Sequence, residues 1–246
     1  MDAKVPIGYT VCPHDCPSTC APEVKRAMID WWGPVINEFY GSTESSAVSF
    51  ATSADALARP GTVGKAVPGA ELRILDDEGR ILPTGGIGEI FSRIENFPDF
   101  TYHNKPGERT AVDRDGFVTS GDVGYLDDDG FLFICDRKRD MVISGGVNIY
   151  PAEIEAALQM MPGVADCAVF GVPDAEFGEA LAAAVQTREG AALNADDVRA
   201  FLRTRLADYK VPRVIAFHAQ LPREDTGKIF KRKLRDPYWA GLARRI

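Results

Sequence analysis

Four short constellations in this 246-residue chain set polar or charged side chains beside glycines, where a ligand could be met. The first is Tyr40-Gly41-Ser42-Thr43-Glu44, which follows a strand-like stretch. A glycine there permits close approach of backbone to a ligand, an aromatic ring can stack on a base, a hydroxyl can bond a phosphate oxygen, and a carboxylate can hold Mg²⁺. An ordinary turn carrying an exposed acid has the same composition. The second joins Thr119-Ser120-Gly121-Asp122 to Asp136-Arg137-Lys138-Arg139-Asp140. A carboxylate held at a turn can accept hydrogen bonds from two vicinal ribose hydroxyls, and a neighbouring arginine can bracket the same sugar or a phosphate. An acid- and base-rich hairpin surface is the plainer reading.

The third is Ser144-Gly145-Gly146-Val147-Asn148, whose paired glycines let a thin ligand chain or a second backbone pass without a Cβ in the way. A β-bulge would look alike. The fourth is Thr226-Gly227-Lys228 within "LPREDTGKIF". Its lysine can act as a mobile point charge toward developing anionic charge. The nucleotide-cradling pattern G-x-x-x-x-G-K-S/T is absent, and Gly61-Thr62-Val63-Gly64-Lys65-Ala66 has neither its spacing nor its last residue.

Elements of several kinds must position these groups. From Pro22 a helical pattern places Val24, Met28, Trp31 and Trp32 on one apolar face until Gly33-Pro34 breaks it, and "VINEFYG" reads as a strand. Between Gly61 and Asp136, short β-type runs alternate with Gly/Asp turns, which predicts a small antiparallel sheet or barrel. Beyond Asp140 a helix starts at Pro151 with Ile154, Leu158 and Met161 inward. Strands over "DCAVFGV" and "LAAAVQTR" follow, then a helix capped by Asn194 with Val198, Phe201, Leu202 and Leu206 inward, then a strand at "RVIAFH". No internal repeat appears.

Composition excludes other classes. With 28 basic and 36 acidic residues the net charge is −8, so the surface as a whole repels nucleic acid and anionic membranes. Lys228, Lys231, Arg232, Lys233 and Arg235 form a basic run, but a short helix burying Ile229, Phe230 and Leu234 would leave them a solvated face. No apolar stretch is long enough for a transmembrane helix, and the first twenty residues carry charges without an apolar run, so a cytoplasmic chain is expected. The five cysteines are odd in number, and Cys12, Cys16 and Cys20 are crowded together, unlike a disulfide framework.

In order, the four groups resemble the adenylate-forming superfamily of AMP-forming acyl-CoA synthetases. The resemblance runs through "APEVKRAMIDWWGPVINEFYGSTE", "RPGTVGKAVPGAELRILDDEG", "TSGDVGYLDDDGFLFICDRKRDMVISGGVNIYPAEIE" and "LPREDTGKIFKRKLR", from about Ala21 to the end. It implies an α/β plus α+β fold: residues 21–138 as the end of the large AMP-binding domain, with a small β-barrel subdomain over about 61–136. Residues 139–246 would form a mobile α+β lid domain. The implied reaction joins a carboxylic acid, fatty or aryl, to CoA through an acyl-adenylate, consuming ATP and releasing AMP and pyrophosphate.

The resemblance also implies residue roles. Tyr40 would stack on adenine within a nucleotide site that includes Gly41 and Ser42. Thr43 would bond the AMP phosphate, Glu44 would hold Mg²⁺, and Asp122 and Arg137 would bracket the ribose. Lys228 would stabilise attack on the α-phosphate, and Gly145 and Gly146 would line the CoA pantetheine passage. Arg139 stands where the family's hinge residue is commonly Asp or Lys.

Two departures shape the expectation. No Ser/Thr/Gly-rich phosphate loop ending in Lys occurs, so the chain resembles the carboxyl-terminal half of a ligase, impaired alone, with a cut surface that would favour association. A nucleotide- or CoA-binding remnant without turnover is one alternative, and an iron–sulphur electron-transfer segment is the other. Residues 1–20 differ in character: "TVCPHDCPSTCA" resembles the opening of a molybdopterin oxidoreductase, in which three such cysteines help bind a [4Fe–4S] cluster. Here the next cysteine is Cys135, so Cys12, Cys16 and Cys20 lack a fourth ligand at that family's spacing, and a metal-free leader is expected.

Overall fold

The computed structural model describes residues 22–225, 227 and 229–241. The chain divides between Lys138 and Arg139 into two compact units, each with its own mixed α/β architecture.

The first unit opens with α1 (Pro22–Trp32), then the hairpin β1 (Glu38–Ser42) and β2 (Ser46–Ala51), then α2 (Ser53–Ala58). Strands β3 (Thr62–Ala66), β4 (Ala70–Leu75) and β5 (Gly88–Ile94) follow. Helix α3 (Pro106–Ala111), the short β6 (Asp113–Arg114), β7 (Phe117–Leu126) and β8 (Phe131–Arg137) complete the unit. The strands form one antiparallel sheet in the order β1-β2-β3-β8-β7-β5-β4, with β6 beside β7. One face packs Val63, Ile74, Ile90 and Leu132 around Tyr40, and Leu75, Phe91 and Phe117 form a separate cluster.

This sheet corrects the barrel expectation. Its hydrogen-bonded path does not close among the described residues. The free edge of β4 is taken by its own returning loop: Leu75 bridges Ile81, and the Leu82 amide donates to the Ile74 carbonyl at 2.8 Å. Closure of the expected barrel over 61–136 would need β4 to pair with β3, but β3 is hydrogen-bonded to β2 and β8, and β4 is paired at Leu75 by its own loop.

Helix α1 departs from its expected face as well. Trp31 is 76% exposed and Val24 and Trp32 are each 46% exposed, while Lys25 and Ile29 turn inward. Lys25 forms an ion pair with Glu38 of β1 and is buried on the same side of the helix as Ile29. The "VINEFYG" strand begins only at Glu38.

The second unit contains the hairpin β9 (Val142–Ser144) and β10 (Val147–Ile149), α4 (Pro151–Gln159), and the long strands β11 (Val164–Asp174) and β12 (Gly178–Thr187). Helix α5 (Ala195–Arg203), β13 (Val214–His218) and α6 (Lys231–Arg235) follow. The sheet order is β10-β9-β12-β11, and β13 joins β12 in parallel after the α5 crossover. Alternation along β11 and β12 explains their continuous apolar sequence, because both faces are covered. Cys167, Val169, Leu181, Ala183 and Val185 meet Ile154 and Leu158 of α4 and Val198 and Leu202 of α5. Ala168, Phe170, Ala182 and Ala184 meet Leu221 and Leu234 on the other face. Asn194 caps α5 as its sequence predicts, accepting from the amides of Asp196 and Asp197 at 2.9 and 3.0 Å. Among the described residues, no helix is long and apolar enough to cross a membrane.

Candidate functional site

The first unit gathers Tyr40, Ser120, Asp122 and Arg137. Asp122 on β7 stands directly opposite Arg137 on β8, and their charged atoms Oδ1 and Nε lie 3.3 Å apart. Tyr40 comes from β1, which is separated from β7 in the sheet by β2, β3 and β8. The sheet curls far enough for the Tyr40 hydroxyl to donate to Asp122 Oδ2 at 2.8 Å and to lie 3.2 Å from Ser120 Oγ. Ser120 Oγ also donates to Asp122 Oδ2, at 2.7 Å. Asp122 and Arg137 are buried, Tyr40 only partly. Burial pushes the Tyr40 phenol well above its ordinary titration range, and the neighbouring Asp122 charge adds to the shift. A buried carboxylate with Oδ2 occupied and Oδ1 accepting no hydrogen bond among the described residues suits a ligand that brings hydroxyl donors.

The tip of the β1–β2 hairpin carries Thr43 and Glu44. Ser42 Oγ accepts from the amides of Glu44 and Ser45 at 3.2 and 3.1 Å, which fixes the turn. Glu44 Oε1 accepts from the Tyr102 hydroxyl at 2.8 Å, and both burial and this bond raise the Tyr102 pKa to about 12. Glu44 lines a cavity of about 230 Å³ shared with Ser92, Phe97, Phe100 and Arg109. Gly41 has a reason internal to the fold: a Cβ there would sit 1.8 Å from the Ser46 carbonyl oxygen. Tyr102 has no signature in sequence, since an aromatic residue in a polar loop is common.

In the second unit Gly145 and Gly146 occupy neither a strand nor a bulge. They are the two central residues of the β9–β10 turn, with φ of +58° and +81°, the geometry of a tight hairpin turn. The Gly145 amide donates to the Phe177 carbonyl at 2.9 Å. Gly145 borders a cavity of about 530 Å³ lined also by Phe177, Tyr209, Arg199, Arg203 and Arg213. Aromatic rings beside guanidinium groups suit an anionic nucleotide, and this grouping of residues far apart in sequence was invisible to motif reading. Arg139 is exposed and begins the second unit. Lys228, Cys12, Cys16 and Cys20 lie outside the described residues. Among the described residues no group of three or more His, Cys, Asp or Glu side chains could hold a metal ion.

Comparison with known families matches residues 16–96 to the AMP-binding enzyme family and residues 153–228 to the AMP-binding enzyme C-terminal domain. A long-chain-fatty-acid–CoA ligase of Bacillus subtilis is 40% identical over 86% of this chain and 38% of its own length. The chain belongs to the adenylate-forming, AMP-binding enzyme family. An indoleacetate–CoA ligase of Aromatoleum aromaticum is 39% identical over 89% of this chain and 43% of its own. Among solved structures, o-succinylbenzoate CoA synthetase of Bacillus subtilis in complex with its acyl-adenylate intermediate superposes with a TM-score of 0.81. It is 30% identical, over 88% of this chain and 44% of that one. The chain thus spans about two-fifths of the length of these AMP-binding relatives. The AMP-binding match begins at residue 16 and takes in Cys16 and Cys20, and the iron–sulphur resemblance finds no support in the comparisons.

Proposed function

We propose that this chain supplies the nucleotide-gripping strands and the small lid unit of an AMP-forming carboxylate–CoA ligase acting on a fatty or aryl acid. The observation that carries the reading is the buried Asp122, held by Tyr40 and Ser120 beside Arg137. Asp122 and Arg137 bracket the ribose hydroxyls, the Tyr40 ring stacks on adenine within the pocket of Gly41 and Ser42, and Thr43 bonds the α-phosphate. Lys228 stabilises the negative charge that develops as the substrate carboxylate attacks phosphorus and pyrophosphate leaves. CoA thiolate then attacks the acyl carbonyl and AMP departs. Gly145 and Gly146 pass the pantetheine arm, and the arginine-lined cavity beside them receives anionic groups of CoA. Arg139 is the pivot between the two units.

Glu44 fits Mg²⁺ as one of the one or two carboxylates such an ion takes alongside substrate phosphates. When bound, the ion would neutralise phosphate charge. Relatives named as ligases of a long-chain fatty acid and of indoleacetate support the fatty-or-aryl class.

The test is equilibrium binding of AMP against 2′,3′-dideoxy-AMP. Two hydroxyls donating to a buried carboxylate are expected to give AMP an advantage of about 10- to 100-fold, abolished in Asp122→Ala. Equal binding by the wild-type chain would sink the ribose assignment. ATP–pyrophosphate exchange over fatty and aromatic acids, with Lys228→Ala as control, then asks whether the chain adenylates.

A further inference from the structure

Asp122 does not lie on a regular strand. Between β5 and β7 the register runs Glu89 opposite Val123 and then Phe91 opposite Thr119, so two steps on β5 face four on β7. Ser120, Gly121 and Asp122 therefore form a bulge against β5, with Gly121 at φ +79° and Asp122 still paired with Arg137 of β8. Bulges re-aim side chains, and they persist only where something holds the extra residues. Here the bulge is spanned from below by one carboxylate. Glu89 Oε1 accepts from Thr119 Oγ1 at 2.9 Å, and Thr119 Oγ1 in turn accepts from the Gly121 amide at 2.9 Å. Glu89 Oε2 accepts from Lys138 Nζ at 3.0 Å, while the Lys138 amide donates to the Gly121 carbonyl at 2.8 Å. Both faces of the Gly121 peptide neighbourhood are thus tied back to Glu89, through Thr119 on one side and Lys138 on the other.

We propose that Glu89 is a positioning residue for ribose recognition, holding the Ser120–Asp122 bulge so that the Asp122 carboxylate is presented to the sugar hydroxyls. The inference rests on the ribose assignment made above. Glu89 touches no ligand in this scheme; it acts through Thr119 and Lys138. Its carboxylate is mostly covered, with 17% of the side chain exposed, and its partner Thr119 is buried, so that bond is made largely out of water, while Lys138 stays half-exposed. Lys138 has a second acid, Asp77 at 2.9 Å, but that side chain is 80% exposed and holds nothing in the bulge.

The experiment uses the whole chain as wild type, Glu89→Gln, Thr119→Val and the double variant. The readout is the ratio of dideoxy-AMP to AMP dissociation constants, with the thermal midpoint and hydrogen exchange of the Gly121 amide alongside. Each single variant is expected to lower the ratio by about three- to tenfold and speed Gly121 exchange by a similar factor. The double variant is expected to be no worse than either single, because the two side chains act as one unit. A purely structural role would lower the midpoint and weaken both nucleotides equally, leaving the ratio unchanged, and that result would overturn the inference. Additive effects in the double variant would overturn it too. A wild-type chain that fails to distinguish the two nucleotides removes the ribose assignment itself, and the inference with it. If Glu89→Gln does not fold, Thr119→Val, which removes only the hydroxyl link, decides alone.

Discussion

Tyr40→Phe separates the two tasks assigned to Tyr40. The substitution keeps the ring and deletes the hydroxyl, and with it a 2.8 Å bond to the buried Asp122 carboxylate. Hydrogen bonds to charged groups contribute about 1.5–3 kcal/mol. Asp122 keeps Ser120 and Arg137, so the loss belongs at the low end, about 1.5–2 kcal/mol in urea unfolding. Nucleotide binding should respond differently. If the ring stacks on adenine, Tyr40→Phe leaves AMP affinity within about threefold, whereas Tyr40→Ala loses about 1–3 kcal/mol of stacking. Alkaline titration supplies an independent check. Burial and the Asp122 charge both raise the Tyr40 pKa, so Asp122→Asn should bring one tyrosine part of the way back toward 10 while burial holds it above that value. The reasoning is refuted if Tyr40→Phe unfolds within about 0.5 kcal/mol of wild type, or if the Phe and Ala variants bind AMP equally.

Two further perturbations test the frame around the site. Gly41→Ala places a methyl group 1.8 Å from the Ser46 carbonyl, so backbone must shift at a cost of about 1–3 kcal/mol, with weaker AMP binding as the hairpin moves. Gly107→Ala, where nothing lies within 4 Å, is the control and should be close to neutral in the same denaturation assay. Glu38→Gln strands the 3%-exposed Lys25 without its carboxylate and should cost toward the lower end of about 3–5 kcal/mol, since Glu38 itself is only partly buried. Burial raises the Glu38 pKa above its ordinary 4.5, against the pull of Lys25.

Local rules carried the second unit well. The Asn194 cap, the inward Ile154, Leu158 and Met161, and the strands at Val164–Asp174 and Gly178–Thr187 follow from periodicity and capping chemistry. Failures came where a distant partner decides. The inward face of α1 carries Lys25 against Glu38, thirteen residues beyond it, and an apolar stripe says nothing about such a partner. Barrel closure depends on whether two edges are still unpaired, and the loop returning to β4 settles that locally. At Gly41 the hairpin itself leaves no room for a Cβ, a packing demand that the motif alone does not show. Motifs located Tyr40, Asp122 and Arg137, but the Glu89 support beneath them needs the register of β5 against β7, which no single segment encodes.

The position of the division between the units bears on how two reactions could share one nucleotide grip. Arg137 is locked by register to Asp122, and Lys138 is still fastened to the first unit by its amide and by Glu89. Order in the first unit thus runs one residue past β8 and ends where Arg139 begins the second. A pivot at Arg139, as proposed, leaves the bonds described for Asp122, Tyr40 and the Gly121 bulge inside the first unit. Under the proposed function, the unit bearing Gly145, Gly146 and Lys228 then changes its presentation between adenylation and thioester formation with AMP still held. A pivot two residues earlier would pull Arg137 out of register with Asp122 and break the ribose bracket at each turnover. If Arg139 is the proposed pivot, Lys138, held by Glu89 and by the Gly121 carbonyl, is the last fixed point before the turn.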